Sequence, residues 1–155
     1  MNNNLKYKIT ASFYATVAVF SGAGVIHFGD KLLDANLALF YGVGTFNPIW
    51  VLALFVVPFI GGIVVSLIYG LGGKMLAYIP ALIVHGMVYW ELYANPALIP
   101  EGVRLLPFGY WILIVIVAIE FAGLGGIVGE VLIKKTYGRS DKRKLHKRYQ
   151  KQSGA

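Results

Sequence analysis

No cysteine occurs in the 155 residues of the chain. Disulfides, thiolate metal sites, covalent haem attachment through Cys and thiol catalysis are excluded with it. Charge is the second scarcity. Only 14% of the residues are Asp, Glu, Lys or Arg, against about 25% in an ordinary soluble domain. Acidic residues number seven, half of the fourteen basic ones. So few charges cannot cover a globule in water, which excludes a disordered chain, a nucleic-acid-binding globule and most soluble enzymes. The chain also has no P-loop, GxSxG, HExxH or dinucleotide-binding glycine fingerprint. No pair of similar halves suggests an inverted-repeat transporter.

What is present is apolar. Hydrophobic residues make up 57% of the chain, and the mean hydropathy is +0.67. A helix needs about 20 apolar residues to cross a bilayer. Four such stretches can be read, at about 9–28, 49–69, 75–93 and 108–133. The expected fold is all-α: a polytopic membrane protein whose residues 1–133 form a four-transmembrane-helix bundle and whose residues 134–155 form a basic cytoplasmic tail. A signal peptide competes for the first stretch, since Lys6 and Lys8 precede it. The stretch is longer than the roughly 7–15 apolar residues of such a peptide, and no A-x-A site follows. Pro58 should kink the second span, which a membrane helix tolerates. Leu33, Leu37 and Phe40 recur at helical spacing, so a short interfacial helix is expected within residues 30–41. Gly42, Gly44 and Asn47-Pro48 then mark a loop. The segment 95–107 carries Pro96, Pro100 and Pro107 and is expected to be extended.

Basic residues orient the spans. With the N-terminus in the cytoplasm, Lys6, Lys8, Lys74 and the nine basic residues of the tail fall inside, and only Lys31 and Arg104 fall outside. Such a bias in short loops and flanks predicts both termini on the cytoplasmic side. Trp50, Trp90 and Trp111 all fall near the predicted outer interface, where indole rings prefer to sit. The tail should attract anionic lipids, by about 1 kcal/mol per basic residue. It carries no groove-reading motif, so nucleic acid is not an expected partner.

Ionisable residues inside a bilayer are costly and are default functional candidates. His85 and Glu120 both fall near mid-bilayer in the third and fourth spans, which a short connection makes neighbours. A His85–Glu120 pair is therefore expected, as a proton relay, as an anchor for a cofactor or ion, or as an interhelical clasp worth about 0.5–2 kcal/mol. His27, Asp30, Asp34 and Glu91 form a second candidate group near the outer surface, either metal-binding or simply polar. A bis-His haem within the chain is not expected. His27 and His85 differ by about 12 Å along the helix axes, and a haem would need its second ligand from another chain. No other cofactor is indicated. Small residues mark helix-packing faces: Gly22 and Gly24, then Gly61, Gly62 and Ser66, then Ala122, Gly125, Gly126 and Gly129. The slim run Gly123–Gly126 suggests that a helix, lipid or ligand lies against it.

Intramembrane polar groups are too sparse to line a pathway or complete an active site. The expected function is a non-catalytic accessory or structural subunit of a larger inner- or plasma-membrane complex, with energy-metabolism complexes among the candidates. Its expected partners are membrane lipids and other membrane subunits, or further copies of itself. Two alternatives stand beside it. One is a small homo-oligomeric channel or transporter using His85 and Glu120. The other is a metal-binding subunit of a membrane enzyme.

Overall fold

A computed structural model describes the backbone from Asn3 to Ser153 and the side chains of residues 9–136. Lys6, Lys8, His146 and the tail side chains beyond residue 136 lie outside those described. The elements are α1 (Asn3–Leu32), β1 (Leu39–Phe40), α2 (Pro48–Tyr69), α3 (Gly73–Leu76), α4 (Tyr78–Ala94), β2 (Arg104–Leu105) and α5 (Phe108–Ser153), with 3-10 turns at Gly42–Phe46 and Pro96–Leu98. Four helical stretches are long and apolar enough to cross a membrane: Ile9–Leu32, Pro48–Tyr69, Gly73–Ala94 and Phe108–Thr136.

Local chemistry explains the helix ends. Pro48 opens α2 at a position that needs no N–H, and the Asn47 side chain accepts a 2.8 Å hydrogen bond from the Trp50 N–H. Gly70, at φ 90°, turns the chain out of α2. Pro58 lies inside α2 and leaves the helix uninterrupted. Pro80 acts differently. It lacks an N–H and its ring crowds the carbonyl four residues back, so the third span is split at Ala77 into α3 and α4.

The spans close into a ring in which α1 packs on α2 and α4, and α5 packs on α2, α3 and α4. Glycines set two of the seams. On the α1–α2 side, Gly22 faces Val65 and Gly61 faces Ile26. On the α2–α5 side the backbones themselves meet, Gly62 against the Ala122 carbonyl and Gly125 against the Phe59 carbonyl. Gly126 packs on Ala77 and Lys74, Gly129 on Ser66 and Ile63, and Gly123 on Tyr78. Neighbouring helices, then, lie against the run Gly123–Gly126. Gly24 faces open space. Large apolar side chains such as Phe13, Phe20, Leu82 and Leu113 stay exposed on the outside of the ring, a surface suited to lipid rather than water.

The end bearing the α1–α2 and α4–α5 connections departs from expectation. No helix forms between Leu32 and the 3-10 turn that starts at Gly42. Asp34 takes a left-handed φ of 49°, and the chain turns inward, burying Leu37, Ala38 and Leu39. β1 then pairs antiparallel with β2, Leu39 opposite Leu105 and Phe40 opposite Arg104. The expected interfacial helix over 30–41 is corrected: of the apolar residues that suggested it, Leu37 is buried in the bundle's end and Leu33 half-buried, while Phe40 is exposed on β1. The segment 95–107 likewise mixes a 3-10 turn with β2.

Candidate functional site

The inward turn follows from the height at which α1 stops. Asp30 lies two residues before the end of α1, and His85 lies nine residues before the end of α4. Their side chains nonetheless meet, His85 Nδ1 standing 3.8 Å from Asp30 Oδ2. At 1.5 Å per residue, α1 therefore ends about 10 Å short of α4. Residues 33–40 descend into that space, held by Asn36, whose Oδ1 accepts a 2.9 Å hydrogen bond from the Ala38 N–H. A cavity of about 240 Å³ remains beneath them.

Asp30, His85, Trp111 and Asn36 are the polar residues of its wall, and His27 and Lys31 are its exposed members. Ala35, Leu37, Ala38, Val84 and Val88 supply the apolar surface. His85 is only 4% exposed and Trp111 only 7%. Trp111 is fixed by aromatic neighbours, its ring centroid 4.3 Å from that of Tyr89 and 5.7 Å from that of Phe108. The Tyr89 hydroxyl is in turn anchored on the Leu106 carbonyl at 3.1 Å. Three buried polar atoms of these residues have no hydrogen-bond partner among the described residues: Asp30 Oδ1, His85 Nε2 and Trp111 Nε1. Each such atom costs about 1–3 kcal/mol when left unmade, so their concentration around one cavity sets this place apart from an ordinary core.

His85 and Glu120 are not brought together. His85 is buried against Asp30, whereas Glu120 is exposed on α5 and has no hydrogen-bond or ion-pair partner among the described residues. Residue count placed both at similar depth but could not say which way α5 is rotated. Nor do His27, Asp30, Asp34 and Glu91 assemble as a group. Asp34 and Glu91 are exposed, Asp34 lining a separate cavity of about 640 Å³. Among the described residues no three His, Asp or Glu side chains converge on a metal position. His27 and His85 do line one cavity, because α1 sits low. The 12 Å separation assumed level helix ends.

The tryptophans also divide. Trp90 is 70% exposed, as an interfacial anchor would be, but Trp50 and Trp111 are buried with unpartnered Nε1 atoms. In the loop beyond α1, outside the spans, burial and then the nearby Asp34 charge push the Tyr41 hydroxyl pKa above its ordinary value.

Glu130 has a role that sequence reasoning did not assign. It is 8% exposed, and its Oε1 accepts hydrogen bonds from the backbone N–H groups of Gly72 at 2.9 Å and Lys74 at 3.2 Å. The carboxylate thereby holds the turn between α2 and α3 to α5. The nearest sequence signal was the cluster Gly70, Gly72, Gly73, a turn whose donors need an acceptor. The chain matches no known protein family, no curated protein and no solved structure.

Proposed function

We propose that this protein is a non-catalytic accessory subunit of a larger complex in the cell membrane, with both termini in the cytoplasm. Glu120 is the observation that carries the reading. It lies twelve residues into α5, about 18 Å along the helix and hence near the middle of a hydrocarbon layer about 30 Å thick. It is exposed among Leu113, Ile116, Val117 and Leu124, which are exposed too. An acidic side chain facing lipid at that depth costs about 2.5–3.5 kcal/mol. A partner helix offering a basic or amide side chain at the same level offsets that cost, and charge complementarity then selects the partner. The bias of basic residues toward one side of the four spans supports the orientation.

Native gels of the source membrane, extracted in mild detergent, test the proposal. The chain is expected to migrate within a larger assembly, and Glu120→Leu is expected to release it. A chain that runs as a clean monomer or homo-oligomer, with no co-migrating partner, overturns the reading.

A further inference from the structure

A separate groove of about 590 Å³ lies between the strand pair, the 3-10 turn at Gly42–Phe46 and the first turns of α2 and α5. Its wall changes character along its length. Arg104 stands at one end with an exposed side chain, and Phe40, Phe46, Tyr110, Leu113 and Ile114 continue from it. Phe40 is directly opposite Arg104 across the strand pair, so the two side chains share a face. The Leu106 N–H fixes this backbone by donating to the Ala38 carbonyl at 2.9 Å. No carboxylate lines the groove, and Arg104 has no ion-pair partner among the described residues. We propose that the groove binds one anionic phospholipid, its phosphate on Arg104 and the top of an acyl chain along α5. Depth carries the assignment. Arg104 lies four residues before α5. Leu113 lies five residues into it, about 8 Å along the axis and within a stretch apolar enough to cross a membrane. A charged contact at the boundary with an apolar floor beneath it is the polarity profile of a phospholipid. The guanidinium can grip a phosphate through two parallel hydrogen bonds, and its exposure leaves it within reach. A soluble anion would leave the apolar floor uncovered, and an uncharged lipid would leave Arg104 unpaired. A zwitterionic headgroup brings its own cation to the phosphate, whereas an anionic one leaves that place to Arg104.

Because the chain has no cysteine, one introduced thiol can carry a reporter. Full-length protein with bimane at Tyr110→Cys, on the groove's wall, is placed in phosphatidylcholine nanodiscs. These contain increasing fractions of a lipid with a nitroxide at the top of one acyl chain and either a phosphatidylglycerol or a phosphatidylcholine headgroup. The phosphatidylglycerol form is expected to half-quench the reporter at an about fivefold lower fraction, the contribution of one basic residue near anionic lipid. Arg104→Gln is expected to bring the two lipids together, and Arg104→Lys to keep most of the difference. A reporter at Trp90→Cys, exposed at the same end on α4 and outside the groove, is expected to be quenched alike by both. Equal quenching at Tyr110, a preference that survives Arg104→Gln, or the same preference at Trp90 overturns the assignment. So does a reporter at Tyr110 that neither lipid quenches, the result if a second copy of the chain covers the groove.

Discussion

One methyl group is enough to probe the α2–α5 seam. At Gly125 it would overlap the Phe59 carbonyl, and at Gly62 the Ala122 carbonyl, with backbone rather than a flexible side chain in the way. Gly125→Ala is expected to lose at least 1–3 kcal/mol, the usual cost of overpacking, read as a lowered unfolding midpoint in detergent. Gly24→Ala and Gly86→Ala are the controls. Both positions are helical with open space where the methyl goes, so they should be neutral or gain up to about 1 kcal/mol of helix propensity. Trp111→Phe belongs at the same scale. Its Nε1–H is buried and unpartnered, but phenylalanine also removes ring volume packed against Tyr89 and Phe108, so a lowered unfolding midpoint is expected, about 1–3 kcal/mol.

At the scale of elements, Glu130 ties α5 to the turn between α2 and α3. Glu130→Ala leaves the N–H groups of Gly72 and Lys74 without their acceptor, at an expected cost of about 1–3 kcal/mol. Glu130→Gln keeps a carbonyl oxygen and should lose less. Hydrogen exchange at those two amides should accelerate in the alanine variant and change little in the glutamine one. The elements themselves were legible where composition alone decides. All four spans lie within a few residues of their expected limits, because an unbroken apolar stretch of bilayer length has few other uses. The break at Ala77 and the two-residue strands were not legible. The first depends on where Pro80 falls in its turn, and the second on a pairing between segments far apart in sequence.

Over the whole molecule, depth and rotation were the hidden quantities. Hydropathy locates a span but not the height of its end or the face it turns to its neighbours; the short reach of α1 brings Asp30 level with His85, and the rotation of α5 turns Glu120 outward. His85 was recognisable as an intramembrane polar residue. Trp111 and Asn36 were not recognisable as its neighbours, since their types suit an interface and a turn equally well. The absence of cysteine makes the proposed orientation directly measurable. Val43, fully exposed at the connection end, is expected to be labelled by a membrane-impermeant maleimide in intact cells as Val43→Cys. Leu71→Cys, at the opposite end in the turn after α2, should react only after lysis. The reverse pattern would invert the topology.

The strand pair also dictates an order of assembly. Roughly 65 residues of synthesis separate β1 from β2, a delay of several seconds at about 5–20 residues per second. Throughout that interval the second and third spans are made while β1 has no partner. The cavity draws its walls from α1, the turn after it, α4 and α5, so it comes into existence only once the last span has arrived. A ribosome stalled before α5 therefore leaves a chain with three spans and an incomplete cavity.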